Sequence, residues 1–366
     1  QENSDGLQLE VPSCRVDVTR EADVIEEILR IYGYNNIEIP VKVNSSISHS
    51  VKPDPENLQG FALNYLSSNG FSEMMNNSLT KSAYYENRKD FDASQSVMIL
   101  NPLSRDLNVM RQSLLFSGLE TILYNLNRKM NDQKLFEFGK VYRITDKNAS
   151  DVIRKYEESS HLSLFVTGRQ SKESWYGQNQ EVDFNYLKAY VFNLLKRIGI
   201  NAGSMDHIKV EKDYLLLGLN YLSPKGMLLE IGIVSDAVLK EFDIRQQVYY
   251  AEINWDIVLK LIKNNRIQYK PIPKFPEVRR DLALLIDSKI TFEEIEKIAY
   301  KTESRLLKSV NLFDVYEGKN IEAGKKSYAV SFILLDEEKT LTDKVIEKTM
   351  NRLMEAYQKE LGAVIR

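Results

Sequence analysis

Near the start of the chain four carboxylates stand close together: Asp17, Asp23, Glu26 and Glu27. Asp23, Glu26 and Glu27 fall at i, i+3 and i+4, so on a helix they share one face. Carboxylates clustered in this way repel unless a hard cation or a basic side chain sits among them. Mg²⁺ suits such a set, since it takes oxygen donors and keeps several waters. The spacing has a plainer reading too, with Asp23 as an N-cap, Glu26 three residues on, and the acids suiting the helix dipole.

A second group is basic: Lys270, Lys274, Arg279 and Arg280 can face phosphate, or can equally be a solvated strand edge with Asp281 pairing one arginine. Charge alone does not choose, because the stretch 273–366 carries as many Asp and Glu as Lys and Arg. Tyr328 and Phe332 can stack on bases from an open sheet face or pack in a core.

Beyond these groups the chemistry is mostly excluded. No G-x-G, G-x-x-x-x-G-K-[ST], H-E-x-x-H or G-x-S-x-G occurs, so nucleotide cradles, zincin sites and nucleophile elbows are absent from the sequence. One cysteine, Cys14, precludes internal disulfides and fits a reducing, cytoplasmic setting. Three histidines without i+3 or i+4 pairing argue against a histidine-built zinc site. With 49 Lys+Arg against 52 Asp+Glu, any RNA contact must be local. No apolar run approaches the ~20 residues of a membrane helix. Gln1 in place of Met reads as a piece of a longer polypeptide.

The elements that must hold these residues are legible from periodicity. Cys14, Val16 and Val18 alternate with polar residues, predicting a strand that carries Asp17. Ile25, Ile28, Leu29 and Tyr32 predict a helix ended by Gly33. A linker follows at Val43–Asn57. Helices are expected at Leu58–Leu66, Leu114–Leu126 and Asp183–Ile198. Strands are expected at Phe136–Tyr142, Leu162–Val166, Tyr214–Leu219 and Leu228–Val234, in an α+β arrangement around an antiparallel sheet. After Pro271, Pro273 and Pro276 the pattern is β-α-β-β-α-β, a ferredoxin-like layout with a Thr291–Glu294 capping box. It runs from Asp281–Asp287 through strands at Val310–Glu317 and Tyr328–Leu334 and a helix at Thr342–Leu361 to Ala363–Arg366.

Three stretches resemble the bacterial phenylalanyl-tRNA synthetase β subunit, in its C-terminal part. Val11-Pro12-Ser13-Cys14-Arg15-Val16-Asp17-Val18 with Glu21–Glu27 and Ile31–Ile37 resembles the end of its B5 domain. Asn101-Pro102-Leu103-Ser104, Met110–Leu115 and Leu135-Phe136-Glu137-Phe138-Gly139-Lys140-Val141-Tyr142 resemble its class II synthetase-like core. Lys274–Leu284 resembles the opening of its ferredoxin-fold anticodon-binding domain. The resemblance implies three domains: 1–40, the end of B5; 41–265, the synthetase-like core; and 266–366, the anticodon-binding domain. It further implies that Asp17, Asp23, Glu26 and Glu27 bind Mg²⁺ in a site shared with an α subunit, within an (αβ)₂ ligase that uses ATP, phenylalanine and tRNA(Phe). Lys274, Arg279 and Arg280 become candidates for tRNA contact.

The core itself lacks class II chemistry. No arginine is followed two residues on by glutamate, and no glycine-rich strand ends in arginine, so nothing is placed to neutralise an α-phosphate. The resemblance places the chemistry in the α subunit. The competing reading is a stand-alone module for structured RNA.

Overall fold

The computed structural model describes the whole chain except residues 1, 4, 5, 40, 43, 44, 46–53, 87, 147–150, 152, 178, 264, 266–268, 270, 319, 320, 323 and 366. Two compact units are present, Gln1–Asn265 and Arg266–Arg366.

In the first unit a short antiparallel pair, Glu2–Asn3 with Gly6–Leu7, precedes α1 (Glu21–Tyr32). Gly33 ends it at φ 92°, a left-handed value that favours glycine, and its N–H donates to Leu29. Most of the expected linker lies outside the described residues. Its end does not behave as linker: Asp54 caps α2 (Pro55–Ser68), accepting from the N–H groups of Glu56 and Asn57.

A seven-stranded sheet then forms. In chain order its surroundings comprise β1 (Ser72–Glu73), α3 (Leu115–Leu126), β2 (Gln133–Ile144), β3 (Tyr156–Thr167), α4 (Phe184–Ile198), β4 (His207–Lys212), β5 (Leu215–Ser223), β6 (Gly226–Val234), β7 (Val248–Asn254) and α5 (Trp255–Ile262). The strand order is β1-β2-β3-β7-β6-β5-β4. Only β1–β2 is parallel.

Alternation along the strands sends side chains to two cores. One face packs Phe136, Leu162, Leu164, Ile231 and Ile253 against α2, α4 and α5. The other packs Leu135, Phe165, Val248 and Tyr250 against α3. There α3 lies so close that a Cβ on Gly118 would stand 2.2 Å from the Phe165 ring.

The second unit contains β8 (Val278–Asp287), α6 (Phe292–Thr302), β9 (Leu307–Tyr316), β10 (Lys325–Leu334), α7 (Asp343–Leu361) and β11 (Val364–Ile365). Its antiparallel order, β9-β10-β8-β11, is that of the predicted ferredoxin-like layout. Thr291 and Glu294 cap α6 reciprocally. Tyr328, Val330, Phe332 and Leu334 face the helices in one core with Ile295, Leu353 and Tyr357. Tyr328 and Phe332 are therefore core residues and not an exposed stacking platform. No described helix is long and apolar enough to cross a membrane.

Candidate functional site

The segment before α1 is not a strand. Arg15 N–H donates to Pro12 and Val18 N–H to Arg15, closing two successive turns. Those turns fold Arg15 back on the helix, where its Nη2 lies 3.0 Å from Asp17 and 2.8 Å from Glu27. The period-2 pattern misled because among the described residues no strand pairs with its valines, and Val16 is exposed.

Asp23 is the third helical residue, not the N-cap. Arg20 caps α1, and Asp23 reaches back to accept from the N–H groups of Thr19 (3.0 Å) and Arg20 (2.8 Å). The Arg20 guanidinium adds a 3.0 Å pair. The Arg20 side chain and those two backbone donors hold the Asp23 carboxyl down at about 2. Asp17 is lowered too, chiefly by Arg15. Glu26 is exposed on the same helix. Among the described residues no three His, Cys, Asp or Glu side chains converge as metal ligands. All four donors are oxygens suited to Mg²⁺, but arginines now neutralise three of them.

In the core, a row of polar side chains crosses the sheet on the α3 side. Glu137, Ser163, Glu252, Glu230 and Asn220 are register partners on five successive strands, β2, β3, β7, β6 and β5. Glu137 is 1% exposed and pairs with Arg111 at 2.6 Å. Asn76 donates to Glu137 as well. Gly139 makes this possible, because a Cβ there would stand 2.2 Å from the Arg111 guanidinium.

Glu252 accepts from Ser113 at 2.8 Å, hydrogen-bonds His161 Nδ1 at 2.6 Å, and contacts the Tyr250 hydroxyl. Burial raises its carboxyl, but the bonds to His161 and Ser113 hold it below the ordinary range. Burial pushes Glu230 up, against the pull of Lys212 and Tyr214. Beside them lies a cavity of ≈ 190 Å³ whose lining includes Glu230, Glu252, His161, Lys212, Phe91 and Arg143. The sequence reading passed over this group. Its only local signal is a single acid inside an apolar strand, as in Leu228-Leu229-Glu230-Ile231 and Ala251-Glu252-Ile253.

In the second unit the three basic candidates separate. Arg280 pairs across the sheet with Phe332, on the helix side, and its guanidinium lies 3.9 Å from Asp343 at the start of α7. Arg279 therefore points to the open face, where it lies 5.1 Å from the Phe313 ring and 2.8 Å from Asp281. Lys274 is exposed ahead of β8, and Lys270 lies outside the described residues.

The sequence model of the family described as the phenylalanyl tRNA synthetase beta chain CLM domain matches residues 39–255, more than half of the chain. The chain belongs to the phenylalanyl-tRNA synthetase β-chain family. The tRNA synthetase B5 domain matches residues 1–34 of this β chain, and the ferredoxin-fold anticodon binding domain matches residues 273–366. Its relatives include the phenylalanine–tRNA ligase beta subunits of Bacteroides thetaiotaomicron (50% identity, 100% of this chain and 45% of the relative) and Porphyromonas gingivalis (42%, 98% and 44%). That of Clostridium acetobutylicum is 32% identical over 99% of this chain and 44% of its own length. The chain thus spans less than half the length of the β subunits it matches. Within this β chain, the Asp17 cluster lies in the B5 match, the polar row in the CLM match and Arg279 in the anticodon-binding fold.

Proposed function

We propose that the chain acts as part of the β subunit of a cytoplasmic phenylalanine–tRNA ligase, joined to an α subunit in an (αβ)₂ assembly. The observation that carries this reading is the succession of B5, CLM and anticodon-binding matches along one chain, in relatives named for that subunit. Activation of phenylalanine with ATP then belongs to the α subunit, since this core has no Arg-x-Glu. The isolated chain should show no phenylalanine-dependent pyrophosphate exchange. Exchange above background would overturn the assignment of chemistry to α.

Asp17, Asp23, Glu26 and Glu27 are the proposed Mg²⁺ donors, in a site completed by the α subunit. Their oxygen-only chemistry supports this, whereas the pairing of Arg15 with Asp17 and Glu27 means that binding requires the arginine to swing away. Contact with the anticodon end of tRNA(Phe) falls to the second unit. The stand-alone RNA-module reading is the weaker one, because it leaves the β-chain match over residues 39–255 without a role.

The deciding experiment is co-purification with the cognate α subunit, with and without Mg²⁺, and with Asp23→Ala/Glu26→Ala. A complex weakened by chelation and by the double variant is the expected outcome. A complex indifferent to both would remove the metal from the interface. No complex at all would favour the RNA module.

A further inference from the structure

The polar row on the α3 side of the sheet is unusual for a buried face. Ser163 Oγ and Asn220 Oδ1 have no hydrogen-bond partner among the described residues, a cost that buried polar atoms normally avoid. Register places Ser163 beside Glu252 and Asn220 beside Glu230, and those two carboxylates line the ≈ 190 Å³ cavity.

Size and charge limit what the cavity can take. At roughly 30 Å³ per water it matches about six waters, enough for one small metabolite and too little for a nucleotide. Glu230 and Glu252 supply two carboxylates to its inner wall, against Lys212, while Asp90 and Arg143 stand at the exposed rim. Lys212 is engaged by Glu230 and His161 by Glu252, so the inner wall holds two carboxylates against the one fixed cation Lys212. The Arg143 guanidinium has no ion pair among the described residues. Phe91, Met227 and Leu228 add apolar wall. Among the described residues no three His, Cys, Asp or Glu side chains converge as metal ligands, so a small organic cation fits the interior better than a metal does.

We propose that this cavity binds a small zwitterionic amino acid, its ammonium toward Glu230 and Glu252 and its carboxylate toward Arg143.

The test uses the 366-residue chain without a partner subunit, so that no α-subunit pocket contributes. Saturation-transfer NMR is run with L-phenylalanine, L-methionine, phenethylamine and 3-phenylpropionate as probes. Transfer to the amino acids, weak or absent for the two single-charge analogues, is expected. Arg143→Ala should weaken amino-acid binding about tenfold, the scale of one charged hydrogen bond. Because Arg143 is exposed, its Tm should not change. Glu252→Gln should abolish binding, and Arg143→Ala keeps the test valid if that buried change unfolds the chain. No transfer at millimolar probe, equal transfer to phenethylamine, or indifference to Arg143→Ala would each overturn the proposal.

Discussion

Arg15 holds oxygens that the proposed Mg²⁺ site would use. Its guanidinium satisfies Asp17 and Glu27, and a divalent cation bound by those carboxylates must displace it. Arg15→Ala should therefore tighten Mg²⁺ binding to the chain several-fold, read by calorimetry or by Mn²⁺ relaxation. Unchanged or weaker binding would show that the carboxylates do not act as ligands. Asp23 offers a pH signature. Its folded value of about 2 lies below the ordinary carboxylate value, so its contribution is present above about 3.9 and is lost as pH falls through about 2. A carboxyl-carbon titration of Asp23 by NMR should show this low midpoint, and an ordinary midpoint near 3.9 would remove the capping contacts. Arg111 sets a stability test in the core. Removing one partner of a buried pair costs about 3–5 kcal/mol, because the other charge is left unpaired. Arg111→Leu should lose stability on that scale by denaturant unfolding, and Arg111→Leu/Glu137→Leu should recover part of it. An equal loss in the double variant would mean that packing, not charge, is what Arg111 provides.

Among the elements, the second unit shows how far pattern reading reaches. Alternation and capping made β8, α6, β10 and α7 legible, because each has one face on a core and a sequence-local start or stop. The same periodicity failed before α1, where among the described residues no strand pairs with the alternating segment and the turn bonds of Arg15 and Val18 prevailed. It also missed the polar row, since only the register of five strands brings Glu137, Ser163, Glu252, Glu230 and Asn220 side by side. Adjacent Arg279 and Arg280 look equivalent in sequence, yet strand alternation puts them on opposite faces of β8. Arg279→Ala should accordingly weaken tRNA binding by the second unit's open face, while Arg280→Ala leaves it nearly unchanged. Equal losses for both in a filter-binding titration would place the RNA contact elsewhere.

For the whole molecule, a formal net charge of −3 leaves little general attraction for RNA, so affinity must come from a few placed cations. Of the three candidates, Arg280 is near Asp343 and Arg279 shares Asp281, while Lys274 has no ion pair among the described residues. Each phosphate contact to a single-stranded loop contributes roughly 0.7 to the slope of log K against log salt. Two contacts, from Lys274 and Arg279, predict a slope of about −1.4, far shallower than for a protein coated in lysine and arginine. Titrating tRNA(Phe) into the chain across a salt series measures this directly. Lys274→Ala/Arg279→Ala should flatten the slope by about 1.4, one phosphate for each side chain removed. A slope steeper than about −4, or one that the double variant leaves untouched, would mean that the RNA is held by cations outside the entry to β8.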